Sequence, residues 1–413
     1  MQKRFEEMSE WTRQLMNELT EEVRDRINAR KQKLGDDEVL ALIEEVVLHE
    51  SRSECCTYSE KADLICGIFN ATRRELGLLQ PYAENENISE IMVNGIDHIF
   101  VERNGKIERV PQKFESAEDL EELIRRLAAR VHREINELNP IVDARLEDGA
   151  RVNAVYKNVA LNGPVLTIRR FPEKGIGMEA LLECGTLTSA SAEFLKKAVQ
   201  GGLNLFVSGG TSSGKTTFLN VLSDYIPKEE RVILIEDSAE LQFNGVENLV
   251  RLETKNANVQ GKGCVSLRQL IRTSLRMRPD RIIVGEVRGE EVVDMVQAQN
   301  SGHSGSMCTG HGNSTEGMLY RLEAMFLTAA DFPIESVRGQ IAEAIDLMIH
   351  MGRMPDKSRK VLEITEIVGY EDGKIQRNPL FMYRNGEGLV PTGNRLQNRT
   401  KLELKGVCLN DGL

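Results

Sequence analysis

The sequence predicts an α/β protein, with a helix-covered sheet in its C-terminal half, a smaller α+β domain before that, and a helical segment at the N-terminus. Three observations carry that expectation. From about residue 178 apolar runs of strand length alternate with helix-length amphipathic stretches, the pattern of a sheet with helices on its faces. Between Ile88 and Arg170 the apolar segments are short and divided by turn signals, with one helix among them. Before residue 80 the apolar residues recur at spacings of three and four instead.

In chain order, Phe5, Met8, Trp11, Leu15, Leu19, Val23 and Ile27 fall on one face of a first helix, which Gly35-Asp36-Asp37 breaks. A second helix is expected over roughly 37–50 and a third from Ser59 to Leu76, stopped by Gly77. The polar face of the first helix mixes both charge signs, so its apolar stripe is read as packing within its own domain rather than on a membrane surface.

Ile91-Met92-Val93 and Ile99-Phe100-Val101 then read as strands, and Asn104-Gly105 before Lys106-Ile107 as a hairpin turn. Ser116 and Asp119 have capping spacing for a helix with Leu120, Leu123, Ile124 and Leu127 on its inner face. Further strands are expected near 141–146, 150–157 and 164–170. The resulting division is a helical region 1–80, an α+β domain 81–172, a linker 173–177 marked by Pro172 and Gly177, and an α/β domain 178–413. Beyond about residue 353 short strands with Asp372-Gly373 and Asn385-Gly386 turns close that domain, and no chemistry is legible in them.

The stretch around which the α/β domain is organised is Gly209-Gly210-Thr211-Ser212-Ser213-Gly214-Lys215-Thr216. It follows the apolar run Leu203–Ser208 and opens into Thr217-Phe218-Leu219-Asn220-Val221-Leu222, the strand and helix that a phosphate-binding loop needs on either side. Its glycines let backbone N–H groups turn inward on phosphate oxygens, while Lys215 adds a mobile charge and Thr216 a hydroxyl ligand for Mg²⁺. Two later strands end in acids. Val232-Ile233-Leu234-Ile235 leads to Glu236, Asp237 and Glu240, and Arg281-Ile282-Ile283-Val284-Gly285 leads to Glu286. The carboxylate of Glu286 suits a Mg²⁺ shell or the orienting of water, and Glu236 suits the polarising of that water.

The glycine-rich stretch from Ser301 to Asn313 places His303 and His311 eight positions apart. Neither has a cysteine or further histidine at ligand spacing, so a loop that senses phosphate through imidazole is favoured over a metal site. His49, His98, His132 and His350 are read as structural. Arg151, Arg169 and Arg170 lie on expected strands of the α+β domain, where a guanidinium carried to a γ-phosphate would stabilise transition-state charge, or would simply pair at the surface.

Composition sets limits on these readings. With 413 residues two or three domains are expected. A formal charge of −11 argues against a coat on nucleic acid, and seven cysteines without framework spacing read as cytosolic thiols. No apolar stretch reaches spanning length and Met1–Glu7 lacks a signal-peptide core, so a soluble cytoplasmic protein is expected.

These residues together resemble the type II/IV secretion ATPases, and within them the CpaF-like ATPases of tight-adherence (Tad/Flp) pilus assembly. The matching stretches run over roughly 60–370: Ile88–Gly95, Asp148–Ala154, Ile168–Phe171, the P-loop, Ile235–Asp237, Leu275–Arg288 and the histidine loop. The resemblance implies a RecA-like motor domain that binds ATP and Mg²⁺, and an N-terminal domain that closes over the nucleotide. It also implies a hexameric ring docked on inner-membrane platform proteins, peripheral to the membrane. By it Gly209 to Thr217, Arg170, Arg288 and His303 contact nucleotide, Thr216 and Glu286 hold the metal, and Lys215, Glu236, Glu286, Arg151, Arg169 and His311 take part in catalysis. Ser304, Cys308 and Gly312 stand where relatives more often have Asp, Thr and Ala. A nucleic-acid motor of the conjugation kind and a nucleotide-gated scaffold remain as alternatives.

Overall fold

The computed structural model of the protein describes residues 10–30, 34–73, 76–103, 105–131, 133–146, 149–170, 176–255 and 262–409. Phe5, Met8, Asn104, His132, Asp148, Phe171 and Pro172, all named above, lie outside this set. The chain divides into two units, Met1–Glu173 and Lys174–Leu413.

The first unit begins with helices α1 (Glu10–Asn28), α2 (Asp36–His49) and α3 (Tyr58–Arg73). Leu15, Leu19 and Val23 of the α1 stripe are buried in one core with Val39, Ile43, Val47, Leu64 and Ile68, whereas Trp11 stays exposed. That stripe is therefore consumed by packing. A six-stranded sheet follows in the order β3-β2-β1-β6-β5-β4, antiparallel throughout. Its strands are β1 (Ile88–Asn94), β2 (Ile99–Arg103), β3 (Lys106–Val110), β4 (Ile141–Arg145), β5 (Arg151–Val155) and β6 (Val165–Arg169). Helix α4 (Ala117–Arg130), capped by the Ser116 hydroxyl accepting from the Asp119 N–H, buries Leu120, Leu123, Ile124 and Leu127 in the same core as the strands.

The second unit is a nine-stranded sheet ordered β15-β14-β13-β12-β7-β11-β10-β8-β9. Strands β7 (Leu205–Gly209), β8 (Val232–Glu236), β9 (Leu249–Glu253), β10 (Arg281–Val287), β11 (Met307–His311) and β12 (Leu347–Arg353) run parallel. Side chains of a strand alternate between faces, and here both faces are covered. Leu205, Val207 and Leu234 pack in one core with α5 (Met178–Glu183), α6 (Ser189–Gln200) and α7 (Lys215–Ser223). On the other face Phe206, Ile233 and Ile235 meet α8 (Leu267–Ser274), α9 (Glu291–Gln299), α10 (Thr315–Ala329) and α11 (Ile334–Ala344).

The C-terminal strands differ from expectation. β13 (Arg359–Glu371) and β14 (Lys374–Arg384) are 13 and 11 residues long, and with β15 (Gly388–Pro391) they extend the main sheet through β12. Two polar residues within these strands, Glu366 and Asn378, are buried and satisfied. Glu366 is 1% exposed and accepts hydrogen bonds from the Gln397 and Asn398 N–H groups and the Asn378 side chain. Asp372 and Gly373, both at positive φ, make the tight turn between the two strands.

Candidate phosphate-binding site

Strand β7 is completely buried, so its C-terminal end holds the loop that follows in a fixed place. Gly209 is required there because a Cβ would stand 2.5 Å from the Met351 carbonyl oxygen on β12. Ser212 (φ 57°) and Gly214 (φ 94°) turn the loop through left-handed conformations, and α7 starts at Lys215. The Ser213 hydroxyl donates to the Gly210 carbonyl at 2.9 Å and closes the turn. Lys215 is 7% exposed, and its Nζ donates to the Gly209 and Gly210 carbonyls at 3.2 and 2.9 Å. Burial pushes its ammonium pKa down; Glu286 pulls it up and Arg288 reinforces the burial. Thr216 and Thr217 sit half-buried in the first turn of α7, where the helix dipole favours anions.

Parallel pairing aligns the C-terminal ends of neighbouring strands, which is where such sheets bind ligands. His311 is in register with Gly209, so β11 delivers an imidazole beside the loop. Its Nδ1 lies 3.5 Å from Lys215 Nζ and its Nε2 lies 2.7 Å from Glu286 Oε1 on β10. Glu286 Oε2 accepts from Arg288 Nη2 at 2.7 Å. The approach of the imidazole to Oε1 is off the hydrogen-bond direction, and that buried oxygen has no hydrogen-bond partner among the described residues. Burial lowers the His311 pKa, Lys215 adds to the effect and Glu286 opposes it, so the ring is neutral at neutral pH.

Glu236 ends β8 and is 3% exposed. Its Oε1 accepts the Glu240 and Leu241 N–H groups, both at 2.8 Å, and its Oε2 lies 3.8 Å from Arg251 Nη2. These donors favour the charged form, but desolvation outweighs them and raises the pKa to about 7. Gly285 makes room for this side chain, since a Cβ there would stand 3.0 Å from Glu236 Cγ. Asp237 accepts from the Thr254 hydroxyl at 2.8 Å, a bond between the residues that follow the paired strands β8 and β9.

The structure thus gathers the loop, Lys215, Glu286, Arg288, His311 and Glu236 at one edge of the sheet. It does not bring His303 there. His303 precedes β11, at the strand's opposite end, with Nδ1 3.1 Å from the Ala298 carbonyl of α9. Glycines at Gly302 and Gly305 let the chain turn back before β11, so the two histidines are separated by the strand's length. Arg151, Arg169 and Arg170 belong to the first unit. Arg151 pairs with Asp143 through Nη2 and Nε at 3.0 and 3.3 Å and stands opposite Arg145 and Arg169 on the flanking strands, while Arg170 donates to the Asn85 carbonyl at 2.8 Å.

Cys308 points into the apolar face of β11, where burial pushes its thiol pKa up, and Thr309 instead ties β11 to β10 by donating to the Gly285 carbonyl at 2.7 Å. Two contacts of the site, those of Arg251 and Arg359, carry no signal in the sequence, and His350, read there as structural, lies beside them. His350 Nδ1 lies 2.9 Å from the Ser208 hydroxyl and its ring also hydrogen-bonds the Asn313 backbone; Arg251 faces Glu236; Arg359 donates to the Ser212 carbonyl at 3.2 Å. No local pattern marks these contacts, because the residues come from different strands, Arg251 from β9, His350 from β12 and Arg359 from β13.

A phosphate cradle at the carboxyl ends of parallel strands, with helices on both faces of the sheet, defines a RecA-like P-loop NTPase domain carrying a smaller α+β domain and a helical extension ahead of it. Residues 72–382 match the family model described as type II/IV secretion system protein, and the chain belongs to that family. Among relatives, a Mycobacterium tuberculosis (strain CDC 1551 / Oshkosh) protein named for conjugal transfer is 33% identical over 306 residues, covering 73% of this chain and 86% of that one. The type IV secretion system protein PtlH of Bordetella pertussis (strain Tohama I) is 31% identical over 324 residues, covering 72% and 94%. The solved pilus retraction motor PilT with bound ADP is similar in fold, with a TM-score of 0.51 at 20% identity, covering 80% of this chain and 87% of that one.

Proposed function

We propose that the protein is an ATP-hydrolysing motor of a secretion or pilus machine, of the CpaF-like branch that assembles tight-adherence pili. The observation that carries this reading is the convergence of Lys215, His311 and Glu286 on one P-loop, within a chain of the type II/IV secretion family. Backbone N–H groups of Gly209 to Thr216 and the Lys215 ammonium hold the β- and γ-phosphates of ATP. Mg²⁺ fits the donors present, the Thr216 hydroxyl and a Glu286 carboxylate whose buried Oε1 accepts no hydrogen bond among the described residues, and when bound it would neutralise charge on the phosphate oxygens. Glu236, whose pKa of about 7 matches a general base, takes the proton of the attacking water, and neutral His311 reports the state of the γ-phosphate to Glu286.

Arg151, Arg169 and Arg170 of the first unit complete the charge stabilisation when that unit closes, so that hydrolysis is coupled to rigid-body motion. The working form is a homo-oligomer, a hexameric ring, held on inner-membrane platform proteins at the cytoplasmic face. No described helix is long and apolar enough to cross a membrane.

The test is ATP hydrolysis against protein concentration with Mg²⁺, using Lys215→Ala as the blank. Turnover per chain that rises with concentration and vanishes in the blank supports an oligomeric motor. Tight ATP binding with no turnover above the blank at any concentration overturns the motor reading in favour of a nucleotide-gated scaffold. The name of the mycobacterial relative favours one second reading, a motor of a conjugation system, and stimulation of hydrolysis by single-stranded DNA would establish it over the first.

A further inference from the structure

Arg359 opens β13, 147 residues beyond Ser212 in the chain, yet it lies on the P-loop. Its main chain is fixed on both sides, by the pairing of Arg359 with Arg353 on β12 and by the Thr186 hydroxyl donating to the Arg359 carbonyl at 2.8 Å. Its Nε donates to the Ser212 carbonyl at 3.2 Å, and its Cδ lies 3.1 Å from where a Cβ on Gly214 would stand. Gly214 therefore serves a second purpose, letting an arginine stem rest on the loop. The side chain is exposed, and among the described residues no carboxylate pairs with it. A guanidinium has five N–H donors in a plane, and the loop uses one of them.

The N–H groups of a P-loop face the phosphates; here the Gly209 and Gly210 carbonyls turn to the buried Lys215 ammonium, whereas the Ser212 carbonyl accepts from a side chain that is exposed to solvent. A group seated on the Ser212 carbonyl borders the outer rim of the cradle and not its phosphate-filled interior. The sheet order puts this rim on the β12 and β13 side of β7, whereas His311 and Glu286 lie on the β11 and β10 side. With the γ-phosphate at the acids, the part of the nucleotide left for Arg359 is the nucleoside.

We propose that Arg359 forms the base-side wall of the nucleotide site, its planar guanidinium stacked on the base, and that it determines how much the protein gains from a nucleoside over a bare polyphosphate. The chemistry is the stacking of a delocalised, weakly hydrated cation on an aromatic face, which a lysine ammonium does not reproduce. This inference rests on the nucleotide reading of the P-loop.

The experiment is calorimetric binding of ATP and of inorganic tripolyphosphate, both with Mg²⁺, to the full chain and its variants. Arg359→Ala is expected to weaken ATP binding by about tenfold and to leave tripolyphosphate binding unchanged, with Arg359→Lys behaving like Arg359→Ala. Arg359→Met keeps the stem over Gly214 and replaces the alanine variant if that one fails to fold. Equal weakening of both ligands would make Arg359 a brace for the loop and overturn the proposal, as would no weakening of either. Wild-type protein that binds no ATP, or binds it as well after Lys215→Ala, would instead sink the nucleotide reading itself.

Discussion

Glu236 shows how one residue's surroundings set its chemistry. Two backbone donors and Arg251 favour its anion, yet burial lifts its pKa from 4.5 to about 7. Because the folded value lies above the unfolded one, the proton-linked contribution is fully present below pH 4.5 and is lost as pH rises through about 7. Glu236→Gln should therefore raise Tm at pH 8 more than at pH 5, with a ceiling of about 3 kcal/mol at the higher pH. The same titration governs its proposed role as base. Wild-type hydrolysis should fall as pH drops below about 7, and the glutamine variant should lose that limb along with roughly 10²–10⁴ of the rate; a limb that persists in the variant would assign the base elsewhere. Gly209 sets a steric limit in the same place. Gly209→Ala must displace the Met351 backbone, and thermal melting should show a loss of about 1–3 kcal/mol together with weakened ATP binding.

At the scale of elements, three adjacent strands are tied together at the loop. The His350 ring on β12 is hydrogen-bonded both to Ser208 of β7 and to the Asn313 backbone beyond β11. Burial lowers the His350 pKa, so the ring is neutral and has one donor and one acceptor to offer. His350→Asn should cut kcat by tenfold or more with little change in ATP affinity, and should add little to His311→Ala, because both act through the same loop. Additive losses in that double-mutant cycle would leave His350 a packing residue. The β13–β14 hairpin turns on Gly373 at φ 75°, where a side chain meets no atom but the backbone is strained. Gly373→Val should cost about 1–2 kcal/mol in chemical denaturation and leave ATP binding intact.

For the whole molecule, 64 acidic against 53 basic residues give a net negative charge, which opposes non-specific binding of a phosphate backbone. Gel-shift and anisotropy measurements at physiological salt should detect no stable complex with single- or double-stranded DNA, and a complex of micromolar strength would favour the conjugation reading. In the second unit the cradle belongs to a sheet whose strands on one side, β13 to β15, come from the last part of the chain, so deletion of β13–β15 should unfold the phosphate-binding site, although the P-loop residues stay in place in the sequence.

The sequence alone determined whatever rests on local chemistry. A loop of the form Gly209 to Thr216 works only between strand and helix, and its flanks said as much; strands ending in Glu236 and Glu286, the capping residue Ser116 and the stripe Leu15, Leu19 and Val23 were legible from spacing. Tertiary structure decided whatever depends on which strands lie side by side. Strand order brought His311 to Lys215 and left His303 at the far end of β11, and buried Glu366 inside a long strand where only short strands were expected. It also laid Arg359 on a loop 147 residues away. Nearest neighbours along a chain interact through propensity and period, whereas neighbours across a sheet are chosen by the packing of both faces at once, and no single window of sequence contains that choice.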